Sequence, residues 1–263
     1  MATQSIAIAS QTLGAGYYAR VFRKETQYEF VRMLRTKAFS LSVIGFPVMF
    51  YLLFGTSNRH GMYARYLMPS YSCMGVVSAC LFGIGMGIAL ERAQGWFELK
   101  QASPMPRFAY LGAKVISCAA FALVIVATLV VLGITLGGVT LTIAEAMKLA
   151  GVVLAGSIPF TAMGLLIALL VPPNAGPGII NLIYLPMSFA SGFWMPVSVL
   201  PHWLQVIAPA LPTYHLAQLA LHIFGYARPG GMGMMVHWEA LAGFTLLMLG
   251  TTWILFQRIE AKA

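Results

Sequence analysis

The stretch from Val115 to Ala144 reads VISCAAFALVIVATLVVLGITLGGVTLTIA and contains no aspartate, glutamate, lysine or arginine. A helix that crosses the hydrocarbon core of a bilayer needs about 20 mostly apolar residues, so this stretch is long enough to cross once. Charged residues flank it, with Lys114 before and Glu145 after. The stretch predicts a membrane-spanning helix. The positions of the charged residues can be used in the same way to divide the rest of the chain into spans.

The same criterion divides the remaining sequence. Region 149–227 has no formal charge and is too long for one helix, so the proline- and glycine-rich run 171–178 divides it. The six predicted transmembrane helices are 38–58, 66–90, 115–144, 149–171, 178–195 and 240–257. Between the last two, prolines recur too often for a regular span, which predicts a re-entrant helical hairpin at 196–214.

The composition supports this assignment. Only 9% of the 263 residues are charged and 59% are hydrophobic, whereas about a quarter of the residues in a soluble domain are charged. A disordered chain would have the opposite composition, and three cysteines are too few for a disulfide scaffold. We therefore predict an all-α polytopic membrane protein, with residues 1–263 forming a single transmembrane domain.

The basic residues predict the orientation of the chain. Of the sixteen, twelve fall on the side of the predicted spans that holds both termini: Arg20, Arg23, Lys24, Arg32, Arg35, Lys37, Arg92, Lys100, Arg107, Lys114, Arg258 and Lys262. The positive-inside rule then places both termini in the cytoplasm. Residues 17–37 mix aromatic and basic side chains, so the segment 1–37 is expected to contain an amphipathic interfacial helix, the alternative being an irregular basic flank.

Several chemistries are excluded or lack support. The chain has no aspartate and no phosphate-binding loop of the Walker A type, so if ATP is used, another chain binds it. No glutamate falls at the centre of a predicted span, so an ion-coupled transporter would lack its carboxylate. No catalytic or metal-binding residue is predicted. The histidines fall in predicted extracytoplasmic loops or at their borders and are interpreted as interfacial polar residues: His60, His202, His215, His222 and His237.

Glycines and cysteines inside the predicted spans are expected to serve packing. Gly83 and Gly87 have the G-x-x-x-G spacing that allows two membrane helices to approach closely. The three cysteines, Cys73, Cys80 and Cys118, are expected to be plain core thiols.

The loop after the second span has a recognisable pattern. It reads ERAQGWFELKQASPMPR from Glu91 to Arg107, and Lys114 follows seven residues later. This resembles the hallmark of ABC-2 type exporter permeases, E-R-x-x-G-x-x-E-x-x-x-x-x-P-x-x-R followed by lysine. The matching residues are Glu91, Arg92, Gly95, Glu98, Pro104, Arg107 and Lys114. The resemblance implies that loop 91–108 holds a short coupling helix that docks into an ATP-binding subunit.

Trp96 stands inside this loop and adds a large apolar side chain beside the charges. A large apolar side chain exposed in a charged loop favours partner docking over an ordinary loop that only sets topology. The alternative is that Trp96 anchors in the lipid headgroup region.

A second match covers residues 189–214, which include FASGFWMP from Phe189 to Pro196 and PHWLQ from Pro201 to Gln205. It is similar to the family segment F-x-S-G-x-x-x-P-x-x-x-x-P-x-W-L-Q, in which short re-entrant helices line the exit. The resemblance implies an exit or substrate path formed by Phe189, Gly192, Trp194, Pro196 and Trp203.

Together the two matches imply the membrane subunit of an ABC exporter in a bacterial inner membrane. Two copies of an ATP-binding subunit would bind ATP and Mg²⁺, a second permease would complete a homodimer or heterodimer, and this chain would bind no cofactor and no nucleic acid. The expected substrate is a drug-like compound or a lipid. The alternatives are an ATP-independent carrier or channel, export of a polysaccharide or glycolipid by the same mechanism, and an intramembrane enzyme.

Overall fold

The computed structural model describes residues 15–56, 62–96, 99, 107–172, 174–227 and 231–260. The regular secondary structure of this part of the chain is helical. The α-helices are α1 (Ala15–Arg35), α2 (Lys37–Phe50), α3 (Met62–Cys80), α4 (Gly87–Ala93), α5 (Arg107–Thr135), α6 (Ile143–Leu170), α7 (Gly176–Ala190), α8 (His202–Ile207), α9 (Pro212–Ile223) and α10 (Met234–Glu260). Two π-helical turns, Tyr51–Gly55 and Leu81–Met86, extend α2 and join α3 to α4.

In the described ranges, five helices are long and apolar enough to cross a membrane: Lys37–Gly55, Tyr63–Ala93, Ala109–Thr135, Ile143–Leu170 and Met234–Arg258. The fifth predicted span, 178–195, corresponds to α7, which has only 15 residues. At 1.5 Å per residue its length is about 22 Å, shorter than a hydrocarbon core of about 30 Å. Five of the six predicted spans are thus reproduced as long apolar helices. The remaining one, 178–195, stays a prediction.

The boundaries of the third predicted span were wrong at both ends. Charge was used as the boundary, but Lys114 lies within α5, where its side chain is only 2% exposed. At the other end α5 stops at Thr135, and a new helix begins after Thr142. The Thr142 hydroxyl accepts from the Glu145 backbone N–H, and the Glu145 carboxylate accepts from the Thr142 N–H, so Glu145 caps α6.

The helix formed by α3, the π turn and α4 lies at the centre of the bundle. Its most apolar window is 78% buried, whereas that of α10 is only 6% buried. Close packing against α6 depends on glycine, because a Cβ added at Gly164 would lie 3.0 Å from the Cys80 carbonyl oxygen. Gly85 is the partner glycine on the π turn, since its backbone nitrogen faces Gly164. The outer helices therefore present apolar surface to lipid or another chain, and the central one fixes the core.

Gly83 and Gly87 both lie against side chains of neighbouring helices, as expected for packing glycines. A Cβ at Gly83 would lie 3.0 Å from Cys118 Sγ on α5, so this glycine does permit close helix packing. A Cβ at Gly87 would meet the Arg32 guanidinium at 3.1 Å, so Gly87 makes room for a charged group. The three cysteines are free and buried, as expected.

The proline-rich segment that follows α7 is made of short helices. It contains the 3-10 turns Val197–Val199 and Ala208–Ala210, with α8 between them and α9 following. Pro212–Leu221 are buried without interruption inside the bundle, although α9 has only 12 residues. This confirms short broken helices at 196–214, while their re-entry into a membrane remains a prediction.

Two histidine assignments were wrong. His215 and His237 were placed in loops or at their borders, but they lie in α9 and α10 and their side chains are buried. They face each other, and no spacing in the sequence indicates this contact.

Candidate functional site

The predicted coupling loop begins at a buried cluster of charges. Glu91 lies in the last turns of α4, at the point where the chain leaves the central helix. Lys114 on α5 donates to Glu91 Oε1 at 2.9 Å and to Glu29 Oε1 on α1 at 2.8 Å. Arg32 on α1 donates to both carboxylates, and the Tyr110 hydroxyl donates to Glu91 Oε2 at 2.6 Å. Three helices therefore meet in one hydrogen-bonded group, which we call the loop-root cluster (Glu29, Arg32, Glu91, Tyr110 and Lys114).

The charges of the loop-root cluster balance. Two carboxylates face one ammonium and one guanidinium, and Glu29, Glu91 and Lys114 are almost fully buried. Buried charges are tolerated only when they are paired and further hydrogen-bonded, and that condition is met here. Burial alone would lower the pKa of Arg32, but Glu29 and Glu91 raise it above its ordinary value, so the guanidinium stays charged. The cluster is therefore a fixed ionic joint between α1, α4 and α5.

Arg92 connects the same end of α4 to another helix. Its Nη1 donates to the Ala168 carbonyl oxygen at 2.8 Å. Ala168 belongs to the last turn of α6, where backbone carbonyls have no partner within the helix and where positive charge is favourable. The neighbours Glu91 and Arg92 thus join the root of the loop to α1, α5 and α6 together.

Gly95 ends the helix and begins the loop. Its φ of +72° lies in the left-handed region, and its N–H donates to the Arg92 carbonyl oxygen. A glycine in this conformation just beyond a helix is the usual C-terminal stop, because a Cβ there is sterically costly. Gly95, one of the matching residues of the loop pattern, therefore marks the point where the chain leaves the central helix.

Gly95→Ala is expected to lower the free energy of unfolding by about 1 kcal/mol, because alanine resists a positive φ. The measurement is reversible denaturant unfolding of the purified chain in mixed micelles. Gly225→Ala, also at positive φ and with nothing within 4 Å of an added Cβ, should cost a similar amount. A Gly95→Ala variant as stable as the wild type would contradict the assigned conformation.

Trp96 and Leu99 are the described apolar side chains of the loop. They are 55% and 67% exposed, so more than half of each side chain is left open by the described part of the chain. The predicted coupling residues Glu98 and Pro104 lie outside the described residues. Arg107 is the first residue of α5, and its side chain also lies outside the described part.

Sequence reasoning missed three members of the loop-root cluster: Glu29, Arg32 and Tyr110. Their signal was weak, because Glu29 and Arg32 look like ordinary i,i+3 neighbours on an amphipathic helix. The hallmark lysine, Lys114, was recognised, but its partner on α1 cannot be read from the loop pattern.

The predicted exit residues are only partly brought together. Phe189 and Trp194, with Leu185 and Pro186, line an open apolar groove of about 420 Å³. Trp203 lies on α8, where it is exposed, and is not among the residues that line this groove.

Gly192 and Pro196 shape the turn after α7. Gly192 has a φ of +88° and its carbonyl accepts from the Tyr66 hydroxyl at 2.6 Å. Pro196 precedes the 3-10 turn Val197–Val199. Both residues position the groove without lining it.

The described part of the chain is a bundle of apolar helices with an ionic joint where α4 ends, which is the architecture of a polytopic membrane protein. The family model for ABC-2 type transporters matches residues 21–224, so the chain belongs to that family. The chain is 28% identical over 233 residues to the protein described as "Putative transport permease YvfS" from Bacillus subtilis (strain 168). That match covers 86% of this chain and 95% of the relative.

Proposed function

We propose that this chain is the permease subunit of an ATP-driven exporter that moves a hydrophobic or amphipathic molecule, drug-like or lipid, out across a bacterial inner membrane. Two copies of a separate ATP-binding subunit hydrolyse ATP with Mg²⁺, and a second permease completes the membrane part. Both termini and the coupling loop lie in the cytoplasm. Family membership supports the transport role, and the energy source, direction and substrate are our inference.

The loop-root cluster is the observation that carries the coupling proposal. A partner that pushes or pulls the loop acts first on Glu91 and Arg92. Glu91 is held to α1 and α5 by buried ionic hydrogen bonds, and Arg92 is held to α6. Charge-assisted hydrogen bonds of this kind are short and directional, so displacement of the loop moves three helices with it.

Exposed apolar residues of the loop supply the docking contact. Trp96 and Leu99 are exposed, and they lie beside charged residues in the sequence of the loop that follows α4. Tryptophan is over-represented among the residues that dominate binding energy at protein interfaces. A groove on an ATP-binding subunit that covers both side chains would bury them and fix the loop.

The apolar groove supports a hydrophobic substrate. Its walls are the side chains of Leu185, Pro186, Phe189 and Trp194, which expose apolar surface and no polar surface there. The Trp194 ring is 4.6 Å from the Phe50 ring, which stacks in turn on Phe46 and Phe54 along α2. An aromatic and aliphatic surface of this kind suits lipid chains or aromatic compounds better than a polysaccharide.

Trp96→Ala is expected to weaken binding of the ATP-binding subunit about thirtyfold, which corresponds to about 2 kcal/mol. The measurement is the affinity of the labelled subunit for the permease in lipid nanodiscs, followed by ATP-driven transport in vesicles. Trp253→Ala is the matched control, since Trp253 is 63% exposed on α10.

Three outcomes would contradict the proposal. Equal affinity of Trp96→Ala and the wild type would remove the docking role of the loop. Transport by the wild-type chain without any ATP-binding subunit would favour a carrier or channel. Transport of a polysaccharide or glycolipid but of no lipid or drug-like compound would keep the ATP-driven mechanism and overturn the substrate class.

A further inference from the structure

One face of α1 is packed against α5. A Cβ added at Gly112 of α5 would lie 2.9 Å from the Phe22 ring, and the Phe30 ring packs edge-on against Phe121 of the same helix. Between these two contacts, the Thr26 carbonyl oxygen accepts a hydrogen bond from α5. The three contacting residues of α1 recur every four positions, so they lie on a single stripe of the helix.

The opposite side of α1 is open and basic. With 3.6 residues per turn, five positions fall on the side of the helix away from that stripe. We call them the open face of α1: Arg20, Lys24, Tyr28, Val31 and Arg35. All five side chains are exposed, Tyr28 by 73%. Neither glutamate of α1 offsets these charges at the surface, because Glu25 is half-buried and Glu29 belongs to the buried loop-root cluster.

Contacts with the central helix place α1 at one end of the bundle. A Cβ added at Gly83 would lie 3.1 Å from Met33 on α1 and 3.5 Å from Phe39 on α2, so both helices meet the central helix at one level. From there α2 runs towards the other end, because Pro47 reaches Gly75, about two turns earlier on the central helix. The chain therefore changes direction between α1 and α2, close to the loop-root cluster.

The start of α2 lies near a membrane boundary. Together with the π turn that follows it, α2 is long and apolar enough to cross a membrane, and α1 ends only two positions before α2 begins. The open face of α1 therefore lies at the depth of the lipid headgroups. Tyrosine and long basic side chains favour this depth, because each has an apolar body and a polar tip.

An anionic phospholipid matches the open face in both charge and polarity. The phosphate group can accept charge-assisted hydrogen bonds from Arg20, Lys24 or Arg35. Tyr28 and Val31 lie between these cations and can contact the first carbons of the acyl chains. An acidic surface of the ATP-binding subunit would match the charge as well. However, a protein in the water phase would have no acyl chains to cover the apolar side chains at this depth.

We propose that the open face of α1 binds the headgroups of anionic phospholipids, and that the bound lipids hold α1 against the bundle. Helix α1 carries Glu29 and Arg32, which are hydrogen-bonded to Lys114 and Glu91 in the loop-root cluster. Lipid that fixes α1 therefore also fixes the root of the predicted coupling loop. In the cell the face meets the cytoplasmic leaflet, where anionic lipids are abundant, and this placement rests on the proposed function.

The test is photolabelling of the full-length chain in nanodiscs of phosphatidylcholine. The discs contain a small fraction of either photoactivatable phosphatidylglycerol or photoactivatable phosphatidylcholine, and mass spectrometry measures the labelling of peptides from residues 15–37. Phosphatidylglycerol should label this segment at least about fivefold more, because each basic side chain near an anionic surface contributes a factor of about five. Raising the salt concentration from about 0.05 M to about 0.5 M should reduce the preference.

The variant Arg20→Gln/Lys24→Gln should bring labelling by phosphatidylglycerol close to that by phosphatidylcholine. Both side chains are exposed, so their loss leaves the packed stripe of α1 intact. The matched control is Lys148→Gln/Arg258→Gln, which removes the same net charge from exposed positions on α6 and α10. This control should keep the lipid preference of residues 15–37.

Hydrogen exchange tests whether bound lipid holds the helix. Amides of residues 27–35 should exchange about tenfold more slowly in nanodiscs that contain phosphatidylglycerol than in phosphatidylcholine alone, because local opening of α1 is less frequent. Arg20→Gln/Lys24→Gln should remove that difference, and Lys148→Gln/Arg258→Gln should keep it.

Equal labelling by the two lipids would overturn the lipid-binding surface, and so would a preference that survives high salt or the α1 double variant. If that variant kept the lipid preference but lost affinity for the ATP-binding subunit, the open face would be a protein-docking surface instead. Unchanged hydrogen exchange would overturn the holding of α1. Labelling and exchange use neither ATP nor transport, so their failure is distinguishable from failure of the exporter proposal.

Discussion

Replacement of Lys114 by methionine is expected to lower the free energy of unfolding by about 3–5 kcal/mol, because it leaves two buried carboxylates with one cation. Lys114 is 2% exposed and bonds to both Glu29 and Glu91, so water cannot replace its ammonium group. Methionine keeps much of the apolar stem, which isolates the charge effect from a loss of packing. The measurement is equilibrium unfolding of the purified chain in mixed micelles, with helix content as the signal.

The double variant Lys114→Met/Glu29→Gln is the control. It removes one charge of each sign, and Glu91 keeps its bonds to Arg32 and Tyr110. Charge balance is thereby restored, and about half of the lost stability should return. The loop-root cluster would not be a coupled ionic joint if the single variant were as stable as the wild type. The same conclusion would follow if the loss of stability in the double variant equalled the sum of the losses caused by the two single substitutions.

Gly164→Ala is expected to destabilise the protein by about 1–3 kcal/mol through overpacking. The added Cβ would lie 3.0 Å from the Cys80 carbonyl oxygen and 3.4 Å from the Gly85 nitrogen, both of them backbone atoms that cannot rotate away. Helix α6 would have to move away from the π turn Leu81–Met86. The same unfolding measurement applies, and the change should also weaken the Arg92 contact to Ala168 on α6.

Gly151→Ala offers a matched control on the same helix. Nothing lies within 4 Å of a Cβ added there, so the substitution should be neutral or slightly stabilising through the higher helix propensity of alanine. Equal effects of the two substitutions would refute close packing of α6 on the central helix as the reason for Gly164.

The start of the predicted coupling loop could be identified from the sequence because its determinants are local. The helix end at Gly95 needs one positive φ, and Trp96 follows it directly in a loop that also carries charges. The loop-root cluster could not be predicted in the same way. Lys114 was taken as the edge of a span because an isolated charge in a membrane is costly, and that cost disappears once Glu29 and Glu91 lie beside it.

For the histidines, too, local sequence does not predict a contact that depends on how the helices pack. From sequence, His215 and His237 are 22 positions apart and look like surface residues at helix ends. Their contact exists only because α9 is folded into the bundle and packs against α10. No spacing rule connects residues on two helices whose relative rotation is set by packing.

The sequence by itself determined that this chain is a helical membrane protein of the ABC-2 type, because span length, charge scarcity and the loop pattern are properties of consecutive residues. Tertiary structure alone decided which charges are buried together, which glycines permit contact and which histidines face each other. The physical reason is that burial and hydrogen bonding between distant residues depend on how helices pack. A charge that is costly alone becomes stabilising when packing brings its counter-charges within 3 Å, as it does at Lys114.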